Sequence, residues 1–189
     1  MRIAITGGIA DGKSTVCGML AEMGYPVASA DEIVRELHED PEILERIRRE
    51  VGTEFVNESG LDKPALRAAI GRDGSLRQKL NGIFHVPTMR KLVERTETDG
   101  IAFAEVPLLI ETATQGWFDE VWVVEAGRDE QLRRLAERLG DEAAAVSMLA
   151  TQLPTGAKIP FADRIVRTNE ALDAVRLTIA RHVRDLVEG

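Results

Sequence analysis

Gly7-Gly8-Ile9-Ala10-Asp11-Gly12-Lys13-Ser14 stands between a short apolar run, Arg2 to Thr6, and a stretch with Val16, Met19, Leu20 and Met23 at helical spacing. The run reads as a buried strand and the stretch as an amphipathic helix, ended by Gly24 at its C′ position. The octapeptide between them fits G-x-x-x-x-G-K-[ST], the P-loop pattern. Its spacing has a chemical reason. Glycines let the backbone curl around a phosphate and aim N–H groups inward, and the following helix adds its positive end. Lys13 is placed to reach the β- and γ-phosphates of a nucleotide, and the Ser14 hydroxyl to ligate Mg²⁺.

Outward from this loop, strands alternate with helices. Tyr25–Ser29 reads as a second strand with Asp31 just past its end. Helices are expected over Asp31–Glu39 and Pro41–Val51, the second capped by Asp40 with Pro41 at its first position. Asn57–Gly60 reads as a turn. Asp62 to about Arg95 reads as helical, with breaks near Gly71–Gly74 and Pro87. Ile101–Pro107, Val121–Glu125 and Arg164–Arg167 read as three further strands, the first two continuous apolar runs of the kind covered on both faces. Helices are expected from Asp129 to Gly140 and from Ala143 to Gln152. A polar segment, Leu153–Pro160, follows, and a last helix carries Leu172, Val175, Ile179, Val183 and Leu186 on one face. This pattern implies an α/β fold, a three-layer α/β/α sandwich of the P-loop NTPase type with a five-stranded parallel sheet.

The chain of 189 residues is expected to form a single domain, 1–189, with a helical insertion at about 60–95. Its net charge of -8 disfavours nonspecific nucleic-acid binding, which needs a basic face. With one cysteine, Cys17, no intrachain disulfide is possible, and its place in an apolar stripe reads as a small core residue. The three histidines form no zinc-spaced cluster with it. No apolar run approaches the roughly 18 residues of a membrane span. A start directly on a strand is expected to carry no signal peptide, so a cytoplasmic location is expected.

A P-loop does not by itself separate a kinase from a GTPase switch or an ATPase. The guanine-reading N-K-x-D pattern is absent from the sequence. A metabolic kinase needs an acceptor site beside the γ-phosphate and a cationic lid. Asp31 sits where sites in parallel sheets open, and it reads either as an acceptor-side carboxylate or as a helix N-cap. Arg134 and Arg138 share a helix face, with Glu130 four residues before Arg134 as an ion-pair partner on a solvated surface. Glu105 reads either as a carboxylate holding a metal-bound water or as a strand-end residue bonded to loop amides. Asn169 suits a helix N-cap, His85 a packed histidine, and Trp117 and Trp122 positions in or near the core.

Across nearly its whole length the chain resembles the dephospho-CoA kinase family. The resemblance rests on Thr6-Gly7-Gly8-Ile9 with Gly12-Lys13-Ser14-Thr15, Ala30-Asp31-Glu32-Ile33, Leu61-Asp62, Leu80-Asn81 with Ile83 and His85, and Val106-Pro107-Leu108-Leu109 with Glu111. It continues through Phe118-Asp119, Arg134-Leu135 with Arg138, Gln152, Lys158, Ala162-Asp163 and Asn169. It implies transfer of phosphate from ATP, with Mg²⁺, to the ribose 3′-hydroxyl of dephospho-CoA, giving CoA and ADP. It implies a lid at about 138–160 and small-molecule partners only, ATP and dephospho-CoA, with no nucleic acid and no membrane. It assigns Gly8, Ile9, Ala10, Asp11, Gly12, Lys13, Ser14 and Thr15 to the phosphates, Asn169 to adenine, and Asp31, His85 and Leu108 to the acceptor. Lys13, Asp31 and Arg138 become the catalytic set, and Lys158 a further lid candidate. Rival readings are a kinase for another nucleotide or nucleoside and a nucleotide-binding regulatory protein without turnover.

Four positions depart from the family's usual pattern. Ala10 and Asp11 stand where the loop usually reads Gly-Ser, and Asp11 is expected to bring a carboxylate near the phosphates. Ser29 replaces the first aspartate of D-A-D, and Val86 separates His85 from Pro87.

Overall fold

A computed structural model describes residues 1–57 and 60–188. In chain order the elements are β1 (Arg2–Gly7), α1 (Lys13–Glu22), β2 (Val27–Ser29), α2 (Ala30–Leu37), α3 (Pro41–Glu50), β3 (Val56–Asn57) and β4 (Gly60–Leu61). There follow α4 (Lys63–Ile70), α5 (Gly74–Arg95), β5 (Ala102–Glu105), β6 (Glu120–Glu125), α6 (Arg128–Leu139), α7 (Glu142–Leu149), α8 (Thr155–Lys158), β7 (Arg164–Arg167) and α9 (Leu172–Glu188). By internal packing they form two units, one of residues 1–28 with 96–189 and one of residues 29–95.

The first unit is built on a five-stranded sheet of order β2-β5-β1-β6-β7. β1 pairs in parallel with β5 and with β6, and β6 in parallel with β7. On β1, Ile3, Ala4 and Ile5 are all fully buried, so both faces of the central strand are covered, as its unbroken apolar run requires. Ile3 and Ile5 belong to a core with Phe103, Trp122, Val124 and Val166, closed by Val16, Met19 and Leu20 of α1 and Val175, Ile179 and Val183 of α9. Trp122 sits edge-on to both Phe103 and His182. α1 stops where expected, because Gly24 takes φ 90 and donates its N–H to Ala21. Trp117 does not join this core. It is 48% exposed in a single 3₁₀ turn before β6, since it precedes the strand instead of lying in it.

The second unit is helical apart from a small antiparallel pair, β3 with β4. That pair escapes the sequence pattern because two residues per strand cannot display alternation. The turn expected over Asn57–Gly60 has its central residues, 58 and 59, outside the described residues. Asp40 caps α3 as expected, accepting from the N–H of Glu42 and Ile43, with Pro41 at the first position. The break expected near Pro87 does not occur, and α5 runs through it. Pro87 has no N–H for the carbonyl of Ile83, one turn earlier. The Arg46 guanidinium of α3 lies 3.5 Å from that oxygen and takes the missing donor's place. The segment Leu153–Pro160 is not without structure, since it holds α8 and a 3₁₀ turn over Ile159–Phe161.

Candidate active site

The loop between β1 and α1 is held in a shape that its glycines permit. A Cβ on Gly7 would lie 2.4 Å from the Val124 carbonyl oxygen, so β1 and β6 approach too closely there for any side chain. Gly12, at φ +87, turns the chain into α1. Ala10 takes φ 62, the left-handed region where the family's usual glycine is unstrained, at a cost of about 1–2 kcal/mol. Its neighbours help hold it there, because Ile9 and Ala10 pack against Leu135 of α6 and Ala145 and Leu149 of α7.

Lys13 folds back across the loop and donates from Nζ to the Gly8 carbonyl at 2.7 Å. Ser14, on the first turn of α1, donates from Oγ to Glu105 Oε1 at 3.3 Å. Glu105 ends β5, the strand beside β1, so parallel pairing brings the two groups together. A hydroxyl and a carboxylate are hard oxygen donors of the kind Mg²⁺ takes, which makes this pair a fitting place for the ion. Glu105 thus accepts from the Ser14 side chain, and both of its expected roles stay open. Behind them, burial pushes the Cys17 thiol up to about 12, with Glu105 adding to the rise and Lys13 opposing it. Cys17 is a core residue, as its apolar stripe implied.

Asp11 departs from expectation. Its side chain is fully buried and faces protein donors. Oδ2 accepts from the Gly8 N–H and from Thr155 Oγ1, each at 2.5 Å, and Oδ1 accepts from the Ala126 N–H at 2.9 Å. With three donors to satisfy it, the carboxylate stays turned into the protein.

Arg134 is also not the solvated residue that its spacing implied. It pairs with Glu130 at 2.7 Å, and the same guanidinium donates to the Ala10 carbonyl at 3.3 Å and to the Thr168 carbonyl at 2.5 Å. It clamps the loop to the end of β7. Hydrogen bonding from Arg133, ahead of that from Arg134, holds the Glu130 carboxyl at about 2. Arg138, one turn on, is exposed and makes no hydrogen bond or ion pair among the described residues.

Lys158 is corrected as well. It is fully buried, with Nζ donating to the Pro107 carbonyl at 2.9 Å and to the Gly7 carbonyl at 3.4 Å, and paired with Glu111 at 2.8 Å. An ammonium so occupied is not a lid cation. Asp31 lies in the first turn of α2, and the capping position belongs to Ser29. The N-cap reading of Asp31 therefore fails by position, and its exposed carboxylate has no protein partner among the described residues. Asn169 is exposed and stands three residues before α9, whose first turn closes on the Ala171 carbonyl, so it is not that helix's cap. His85 is half-buried on α5, and Leu108 is 44% exposed in the segment after β5.

Sequence reading missed Gln131, Thr155 and Thr168. All three are buried polar residues bonded to the loop. Gln131 donates to the Ile9 carbonyl at 2.9 Å, and Thr168 Oγ1 to the Asp11 carbonyl at 2.6 Å. Nothing in their local pattern distinguishes them from solvent-facing positions.

A mostly parallel sheet of this order, with G-x-x-x-x-G-K-S between its central strand and the first helix, defines the P-loop NTPase fold. The chain matches the dephospho-CoA kinase family over residues 1–173, and it belongs to that family. Among its relatives, the dephospho-CoA kinase of Streptococcus mutans is 32% identical over 97% of this chain and 96% of its own length. That of Leifsonia xyli is 37% identical over 90% and 91%. The crystal structure of TT1252 from Thermus thermophilus superimposes with a TM-score of 0.85 at 28% identity, covering 100% of this chain and 98% of that one.

Proposed function

We propose that this chain transfers the γ-phosphoryl group of MgATP to the ribose 3′-hydroxyl of dephospho-CoA, giving CoA and ADP, in the cytoplasm where ATP is at hand. Family membership supports the reaction. The observation that carries the chemistry is the Ser14–Glu105 pair beside Lys13 on the loop.

In this reading the loop from Gly8 to Thr15 holds the phosphates, through N–H groups other than that of Gly8, which the Asp11 carboxylate occupies. Lys13 leaves the Gly8 carbonyl for the β- and γ-phosphates and compensates the charge that spreads over the transferred group. Mg²⁺ would be held by Ser14 and, through water, by Glu105, and when bound it neutralises phosphate charge. Asp31 orients the acceptor hydroxyl and takes its proton as the new oxygen–phosphorus bond forms and the bond to ADP breaks. That its carboxylate has no protein partner among the described residues favours this role. Arg138 belongs to a lid at about 138–160 and reaches the phosphates when that lid closes. Asn169 contacts adenine. His85 and Leu108 contact the acceptor, whose binding falls to an insertion at about 60–95 of the otherwise single 1–189 domain.

The test is ADP release from ATP with a panel of acceptors: dephospho-CoA, nucleoside monophosphates, nucleosides and none. Turnover confined to dephospho-CoA is the expected result. Preference for another acceptor redirects the assignment, and ADP release with none of them leaves a binding protein.

A further inference from the structure

The short helix α8 meets the phosphate loop through both of its ends, and none of these contacts belongs to the transfer chemistry. At its first residue, Thr155 Oγ1 donates to Asp11 Oδ2 at 2.5 Å, and the same carboxylate oxygen accepts the Gly8 N–H. At its last, the buried Lys158 ammonium holds the Gly7 carbonyl at 3.4 Å and the Pro107 carbonyl at 2.9 Å, with Glu111 balancing its charge at 2.8 Å. Gln131 closes the gap, reaching Thr155 Oγ1 at 3.3 Å as well as the Ile9 carbonyl. The loop's first two residues, Gly7 and Gly8, are therefore fixed from one side by groups on α8 and by Asp11.

The physical consequence concerns preorganisation. A phosphate loop binds anions only when its N–H groups converge, and converging them in the empty loop costs free energy that outside contacts must offset. The Gly8 N–H and the Gly7 carbonyl are both fixed by these contacts. A buried hydrogen bond to a carboxylate contributes several times what an exposed ion pair does. The space is also filled: a Cβ on Gly8 would lie 2.5 Å from Gln131 Nε2 and 2.6 Å from Thr155 Oγ1.

We propose that α8 is a brace for the phosphate loop, and that the side chains of Asp11, Thr155 and Lys158 are positioning groups which set nucleotide affinity without touching nucleotide. Asp11, the loop's departure from its family's usual serine, is the link between loop and brace. The inference rests on Gly7–Ser14 being the phosphate-binding loop.

The experiment is titration calorimetry of MgADP into wild type, Thr155→Val and Thr155→Ser, with thermal unfolding of each. Valine keeps the shape and deletes the hydroxyl, while serine keeps the hydroxyl. Thr155→Val is expected to raise the MgADP Kd roughly tenfold, the scale of one charged hydrogen bond, with Thr155→Ser within about twofold of wild type. Equal Kd values in all three, or equal losses in valine and serine, overturn the brace. Should the valine variant not fold, wild type decides alone. MgADP must then slow amide hydrogen exchange in residues 153–158 as well as in 7–15, and protection confined to 7–15 overturns the proposal. Wild type that binds no MgADP refutes the loop assignment itself, which separates that failure from failure of the brace.

Discussion

Ser14 Oγ donates to Glu105 Oε1 at 3.3 Å, across 91 residues of sequence. Parallel pairing of β1 with β5 delivers the carboxylate to the residue that follows the loop lysine. If this pair holds the metal, Glu105→Gln should raise the Mg²⁺ concentration for half-maximal turnover by roughly tenfold, since the swap weakens one charge-assisted contact. Acceptor KM should stay within twofold. A Mg²⁺ titration of turnover checks this, and an unchanged midpoint would return Glu105 to a structural role.

Lys13 now bonds to the Gly8 carbonyl, a partner it can exchange for phosphate oxygens. Lys13→Ala should leave melting near wild type, because the side chain lies along the loop and not in the core. Turnover should fall by roughly 10² or more, the scale of losing a transition-state charge stabiliser. A folded variant with normal turnover refutes the assignment.

Asp31 is not a helix cap in this fold, so Asp31→Asn tests chemistry with little structural cost. If its carboxylate handles the acceptor proton, kcat should fall by roughly 10²–10⁴, toward the lower end because a loose transition state needs little from a base. ATP KM should change far less. Steady-state kinetics with thermal unfolding as control would settle it, and normal kcat with normal melting moves the role to Glu105.

Arg138 projects from α6 without a protein partner among the described residues, whereas Arg134 is spent on Glu130, Ala10 and Thr168. Arg138→Ala should lower kcat with little change in acceptor binding, as befits a group engaged only in the closed complex. Arg134→Ala should instead lower melting, because it unclamps the loop. Weaker acceptor binding with normal kcat in Arg138→Ala would place that arginine on the acceptor side.

The Cys17 thiol, pushed up to about 12 by burial, should resist alkylation at pH 8 and react only in denaturant. The folded value lies above the ordinary one, so the unfolded chain releases this proton first. The corresponding stability is present below about pH 9 and is lost as pH rises toward 12. Denaturation of wild type and Cys17→Ala across that range measures it, and parallel curves would count against a buried thiol.

The loop, the buried strands and the position of Asp31 after β2 were legible in the sequence, because each is a local pattern: glycines at fixed spacing, unbroken apolar runs, a carboxylate at a strand end. Local pattern misled for Arg134, the family resemblance for Lys158 and Asp11, and the pattern was silent for Thr155 and Gln131. A polar residue on an amphipathic stretch reads as solvated unless its partner is known, and these partners lie far along the chain. Lys158 meets Gly7 across 151 residues and Thr155 meets Asp11 across 144. Periodicity reports which face of an element is apolar. Only the tertiary structure decided which buried polar groups face each other, because a charge is tolerated in the interior only where the fold supplies its counterpart.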